Sequence, residues 1–385
     1  MMKTRFGAHL LPLREFKTWD DLQDAQLRAL CRALDIGNMV ALVGAGMSHP
    51  YGFPTWHKLA CGLVEELRIK ATVPNDFMPP LTEIEKDYLK HVCPELICNG
   101  QAANINSLLD YCHRLYFRRG RQAEFSALVA KYFNKKPVVP TERPSSLEGV
   151  VNLLNVRRFA TFNYERVLAD VLKEKTDLRE SFLPILNGLD ACFADLVSFA
   201  LGGGNYRSGI LHLHGQIQPE LGEKNARLVL TESQYQDQYM SHGARERRKR
   251  DAYRLLLANS ILFVGFSLED EDVLRPFRQF VADNAINGRH RPWFALLTVD
   301  EDKAKRKHEL FHHYYYRYGI RTLFIEYKHE NEITRRFIRK LHEIRAEWVA
   351  YRQDRTRPPA ARAPRFGVVR PNNQQDKEKN RLACW

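Results

Sequence analysis

Met39-Val40-Ala41-Leu42-Val43-Gly44-Ala45-Gly46-Met47-Ser48 is the stretch on which the fold turns. Five consecutive apolar residues, with no polar residue alternating among them, predict a parallel strand buried on both faces. The loop that follows, residues 44–54, holds three Gly and two Pro. Gly44-Ala45-Gly46 lets the backbone approach a phosphate closely, and Ser48 adds a hydroxyl donor. A tight strand-to-helix turn explains the same residues equally well when they are taken alone.

Upstream, Trp19 to Ile36 reads as an amphipathic helix with Leu22, Leu27, Leu30 and Leu34 near helical spacing, stopped by Gly37-Asn38. Downstream, Thr55 can cap a helix from Trp56 to Lys70. Residues 71–140 carry helical patterns and no strand. Thr82 and Glu85 fit a capping box, and a longer helix is expected over Asn106 to Phe133. We take 71–140 as a helical insertion lying over the ligand site. Strand patterns resume at Arg158–Phe162, ending at Asn163, with a helix over Glu165–Lys173. They return at Gly209–His214, ending at Gly215, and at Arg227–Leu230, before a helix capped by Thr231. Ser260–Val264 ends at Gly265 and precedes a helix near Asp272–Asn284. Trp293–Thr298 and Thr322–Ile325 complete the strands, a charged helix lying between them, and a last helix covers Asn331 to Tyr351.

Alternating strands and helices predict an α/β fold, a doubly wound and mostly parallel sheet. Ligands of such sheets sit at the carboxyl ends of the strands. Gly44-Ala45-Gly46, Asn163, His214-Gly215 and Gly265-Phe266-Ser267 all fall there. The expected organisation is a helical lead-in over 1–38, the ligand-binding domain over 39–352 and a basic, Pro-rich, disordered tail over 353–385.

Composition narrows the class. The 385 residues are 44% apolar and 11% aromatic, which suits a packed core. Met1 to Lys17 shows no secretory pattern, and no apolar run is long enough to span a bilayer. We expect a cytoplasmic chain without membrane contact. Seven cysteines, at 31, 61, 93, 98, 112, 192 and 384, form no Cys-x-x-Cys pair, so neither disulfides nor structural zinc are expected. The net charge of +13 is largely local, in Arg245–Arg250 (RERRKR) and the tail. It reads as solvated charge, since no nucleic-acid motif accompanies it.

Two histidines, His212 and His214, lie two apart on one strand, and the pattern alone does not choose between them. Asn163 can end its strand and cap the next helix. Glu165, Asp270 and Asp272 read as charges at helix N-termini.

Taken together the motifs resemble the SIR2 (sirtuin) superfamily. Leu42–Ser48 with Gly52-Phe53-Pro54-Thr55-Trp56 resembles its opening signature. Thr161-Phe162-Asn163-Tyr164-Glu165 is similar to its Thr-x-Asn-x-Asp segment, Leu213-His214-Gly215 to its Leu-His-Gly, and Gly265-Phe266-Ser267-Leu268 to its Gly-x-Ser element. Order and spacing agree across residues 39–326. The chain departs from the protein deacetylases of that superfamily. Residues 215–264 contain no cysteine where those carry a four-cysteine zinc module, Pro54-Thr55-Trp56-His57 replaces Pro-Asp-Phe-Arg, and Glu165 replaces Asp.

The variant is similar to bacterial SIR2-like proteins of anti-phage defence. The resemblance therefore implies a sirtuin-type Rossmann-like fold without a zinc module, NAD as substrate, no metal, and hydrolysis to nicotinamide and ADP-ribose. It implies that Gly44, Ala45, Gly46, Ser48, Pro54, Thr55, Trp56, Thr161, Gly265, Phe266 and Ser267 contact NAD. Asn163 would orient the ribose and water, and His214 would act as general base. It also implies a homo-oligomer or a partner such as a HerA-type ATPase, an Argonaute protein or a phage-sensing chain. An NAD-dependent deacylase or ADP-ribosyltransferase, and a non-enzymatic NAD or ADP-ribose sensor, are the rival readings.

Overall fold

The computed structural model describes residues 18–72, 82–87, 102–118, 120, 122–140, 142, 144–154, 156–175, 184–217, 228–230, 234, 244–268, 274, 277–280 and 292–356. Seven parallel strands form one sheet: β1 (Met39–Val43), β2 (Arg158–Thr161), β3 (Ile185–Asn187), β4 (Gly209–His212), β5 (Ser260–Val264), β6 (Trp293–Val299) and β7 (Ile320–Glu326). Their spatial order is β3-β4-β2-β1-β5-β6-β7. β1 is central. From it the chain passes to β2, then to the edge strand β3, back to β4 between them, and crosses to β5 on the other flank, so the switch point lies at the carboxyl end of β1.

The described helices are α1 (Trp19–Ile36), α2 (Trp56–Thr72), α3 (Glu83–Asp87), α4 (Ala102–Phe117), α5 (Gln122–Phe133), α6 (Ser146–Leu153), α7 (Val167–Lys175), α8 (Phe193–Leu201), α9 (Ala244–Leu257), α10 (Glu301–Lys305), α11 (Lys307–Tyr318) and α12 (Ile333–Thr356). Alternate strand residues serve opposite faces. Met39, Ala41 and Val43 join a core with Leu30 and Leu34 of α1, Val150 of α6, Leu168 of α7 and Phe337 and Leu341 of α12. Val40 and Leu42 join the opposite core, with Phe199 of α8, Leu256 of α9 and Phe311 and Tyr315 of α11. The sheet is thus covered on both sides, and every residue of β1 is buried. This is the α/β, Rossmann-like arrangement expected of the sequence.

A third core sits beyond the strand ends. Leu59 and Leu63 of α2, Leu108 and Cys112 of α4 and Phe125 and Val129 of α5 pack against Tyr164, Ile217, Leu228 and Leu230. The helices from the 71–140 region therefore lie on the segments that leave β2 and β4.

Local chemistry explains the boundaries. α1 starts with a capping box between Thr18 and Asp21 and stops at Gly37 in the left-handed conformation. Thr82 and Glu85 form the anticipated box at α3, with bonds of 2.9 and 3.2 Å. The single helix expected over Asn106–Phe133 is instead two, α4 and α5, and Gly120 at φ +68° marks the break. Strands β2 and β4 end earlier than expected, at Thr161 and His212. Residues 228–230 are not a strand. They form a buried segment tied to the site by Val229 N–H donating to the His214 carbonyl at 3.0 Å. α12 runs on through 353–356, so those residues are helix rather than disordered tail.

α1, in the helical lead-in, packs against the sheet and α12. Gln23 Nε2 donates to the Thr322 carbonyl at 3.3 Å, covering part of the edge strand β7. Asp35 of α1 pairs with Arg352 and Arg355 near the end of α12, at 3.5 and 2.5 Å. Most of the helix expected over 272–284, the cap at Thr231, Asp270 and Asp272, the side chains of 245–249, Cys93, Cys98, Cys384 and 357–385 lie outside the described residues. Among the described residues, Cys31, Cys61, Cys112 and Cys192 form no disulfide. Among the described residues no helix is long and apolar enough to cross a membrane.

Candidate active site

At the switch point the loops leaving β1 and β5 cross at close range. Gly44 N–H donates to the Val264 carbonyl at 2.9 Å and Gly46 N–H to the Gly265 carbonyl at 3.0 Å. A Cβ on Gly44 would stand 2.5 Å from the Gly265 oxygen, and one on Gly46 would stand 2.9 Å from it. Gly265, at φ +72°, faces the Met47 backbone nitrogen at 2.8 Å from its own hypothetical Cβ. All three glycines are therefore required by the crossing itself. Met47 and Ser48 N–H close the turn onto the Gly44 and Ala45 carbonyls, both at 3.1 Å. Ala45 N–H makes no backbone hydrogen bond among the described residues.

The chain leaving β2 meets this loop. Thr161 Oγ1 donates to the Val43 carbonyl at 2.8 Å and accepts from Asn163 N–H at 3.0 Å, so its hydroxyl ties the ends of β1 and β2 together. The Asn163 amide then donates to Ser48 Oγ at 2.9 Å and to Glu165 Oε1 at 3.2 Å. Ser48 Oγ donates in turn to Glu165 Oε1. Ser48, Asn163 and Glu165 are all buried. Asn163 does not cap α7: its side chain faces the β1 loop. Nor is Glu165 a solvated helix-end charge, since it is the acceptor at the centre of the network. Burial pushes its carboxyl above the usual range, against the pull of the Ser48 and Asn163 hydrogen bonds.

The two histidines separate clearly. His212 is the last residue of β4, fully enclosed, with Nδ1 2.9 Å from the Asn163 carbonyl. His214 lies two residues beyond, in a turn. Its ring meets Phe162 edge to face at 4.5 Å, and Phe162 meets Phe266 at 6.0 Å. Burial depresses His214 to about 3 and His212 to about 4, so both are neutral near pH 7.

The remaining residues singled out from the sequence line the approach or lie further out. Thr55 Oγ1 accepts from Lys58 N–H at 3.4 Å at the head of α2, and Pro54 is half-buried beside it. Trp56 opens α2, its side chain lying outside the described residues. Tyr51 hydroxyl is 2.7 Å from Ser145 Oγ, and Val138 N–H donates to the Tyr51 carbonyl at 2.9 Å, anchoring the loop from its outer side. Phe266 is half-buried. Ser267 is exposed, and its carbonyl accepts from the Tyr314 hydroxyl at 3.4 Å. Among the described residues no group of three or more His, Cys, Asp or Glu could hold a metal ion.

A parallel, doubly wound sheet with a buried polar network at its switch point defines an α/β protein with a candidate ligand site at its strand ends. Residues 157–323, from the start of β2 into β7, match the family model described as SIR2-like domain, so this part of the chain is a SIR2-like domain. No curated protein matches the chain. The loop 44–48 precedes the matched residues, yet Gly46–Gly265 and Ser48–Asn163 bind it into the same site.

Proposed function

We propose that this SIR2-like domain binds NAD at the carboxyl ends of β1, β2, β4 and β5 and hydrolyses its nicotinamide–ribosyl bond. The products are nicotinamide and ADP-ribose, and the role is depletion of NAD in anti-phage defence. The observation carrying this reading is the buried Ser48–Asn163–Glu165 network set between crossing glycine loops. An amide with two fixed acceptors is held in one orientation, which is what aligning a sugar and a water demands. Ala45 N–H and the small residues around it leave backbone for a phosphate to approach.

The nicotinamide ring is cationic in NAD and takes the bonding electron pair as it leaves the ribose, departing neutral, so water addition needs orientation and a proton acceptor more than an acid. A neutral His214 supplies a lone pair for a ribose hydroxyl or for the water. The aromatic pair Phe162 and Phe266 keeps that ring in a dry surrounding, where fixed dipoles act strongly on developing charge. Two features of the sequence favour hydrolysis over deacylation: no cysteine in 215–264 for a zinc module, and Thr55-Trp56-His57 in place of Asp-Phe-Arg. A partner such as a HerA-type ATPase, an Argonaute protein or a phage-sensing chain, or self-assembly into a homo-oligomer, would supply the trigger.

The test is nicotinamide release from NAD by the purified chain, with and without an acylated peptide. Peptide-independent release that disappears in Asn163→Ala and His214→Ala supports hydrolysis. Turnover confined to the peptide reaction favours the deacylase, and tight NAD binding without turnover in the presence of the partner favours the sensor.

A further inference from the structure

We infer that His212 is a positioning residue for the proposed reaction: it clamps the carbonyl of Asn163 through Nδ1–H and so sets the peptide plane from which the Asn163 amide is aimed. The inference rests on the NAD reading above for its kinetic consequence, and on geometry alone for the clamp.

A carbonyl oxygen only accepts, so the 2.9 Å contact makes Nδ1 the protonated nitrogen and leaves Nε2 with the lone pair. That Nε2 is buried and has no hydrogen-bond partner among the described residues. An apolar side chain would fill the same space without burying an unpaired lone pair. The imidazole is therefore held there by what its other nitrogen does. The backbone around it is equally fixed. His212 stands opposite Thr161 of β2 and Asn187 of β3. Gly188 N–H donates to the His212 carbonyl and Leu213 N–H to the Thr161 carbonyl, both at 2.8 Å. β4 thus delivers the ring to the place where the β2 chain turns away from the sheet.

Asn163 is then held at three points: its N–H by Thr161, its carbonyl by His212 and its side-chain amide by Ser48 and Glu165. Removing the carbonyl bond frees rotation of the peptide joining Asn163 to Tyr164, and a displacement of about 1 Å at an orienting group costs on the order of a hundredfold in rate. His212 is enclosed and touches no reacting atom, so it acts through Asn163. Enclosure keeps the ring neutral. The Arg166 cation nearby works in the same sense and the Asn163 carbonyl in the opposite one.

Two measurements on the full chain decide it. The first uses no NAD. Long-range nitrogen NMR of the imidazoles, with His212 assigned by its loss in His212→Asn, should show the Nδ1–H tautomer, and the Nε2–H tautomer overturns the clamp. The second compares His212→Asn with His212→Leu. Asn places an N–H donor at the same number of bonds from Cβ as Nδ1, whereas Leu fills space without a donor. We expect His212→Leu to lose at least about tenfold in kcat with KM for NAD little changed, and His212→Asn to recover most of it at a similar melting temperature. Equal losses in both variants that track their stability, or full activity in both, overturn the inference. A wild-type chain inert toward NAD even with its trigger present refutes the NAD reading instead, and the tautomer then decides the clamp by itself.

Discussion

Glu165 shows what an acidic residue near a helix start can conceal. Its position two residues before α7 fits a dipole-compensating charge, yet its carboxyl is turned inward to accept from Ser48 and Asn163. Glu165→Gln keeps an acceptor oxygen and should leave stability within about 1 kcal/mol of wild type. Glu165→Ala strands two buried donors and should cost roughly 2–6 kcal/mol, at about 1–3 for each unsatisfied group, in urea unfolding. Equal losses in the two variants would show that the carboxyl does more than accept. The glycines carry a similar lesson. Gly44, Gly46 and Gly265 read as a phosphate loop, but each is needed first by its neighbours. Gly44→Ala should therefore destabilise the ligand-free chain by about 1–3 kcal/mol, not merely weaken nucleotide binding. Asn163 and His214 stood out because motif order singled them out. Glu165 and His212 did not, because burial and the direction of a hydrogen bond are properties of the packed chain.

At the scale of elements, long apolar or periodic segments were legible. β1 and β5 fall where runs of five and four apolar residues put them, and α1 falls between its helical Leu spacing and Gly37. α6 was missed in the sequence, although Ser145 and Glu148 make a capping box at its start. β3 was missed as well, because three half-buried residues carry no periodicity. Residues 228–230 mislead in the other direction. They are apolar and buried, but the Tyr164 hydroxyl, donating to the Val229 carbonyl at 2.6 Å, holds them against the helical layer instead of a strand ladder. α1 offers its own test. Gln26 is fully buried, and neither of its side-chain polar atoms has a partner among the described residues. Gln26→Leu removes a desolvation penalty and should be neutral or stabilising, by up to about 1–2 kcal/mol. A loss of several kcal/mol would mean that buried water completes the amide.

Over the whole molecule, buried histidines set the response to acid. His212 and His214 are depressed to about 4 and about 3, and burial lowers His113 as well. In the unfolded chain each binds a proton near pH 6.5. The unfolded state therefore holds the extra protons between these values. Their contribution is complete above about pH 6.5 and is lost as pH falls toward 4 and then 3. Glu165 is raised and acts in the opposite sense, weakening the fold as pH rises through its folded value. With two histidines dominating, urea unfolding should show stability falling by roughly 3 kcal/mol per pH unit from pH 6 to 4.5. The double variant His212→Asn/His214→Asn should flatten most of that slope. A flat wild-type profile would contradict the enclosure of these rings.

β1 lies in the middle of the sheet, between β2 and β5, although it comes before the residues that match the SIR2-like model. A fragment cut at residue 157 would lose the keel of the protein rather than a plank from its side, and two open ladders would face solvent where β1 had been. Such a piece should aggregate when expressed alone. For anyone transplanting this domain, the portable unit begins upstream of the recognisable one.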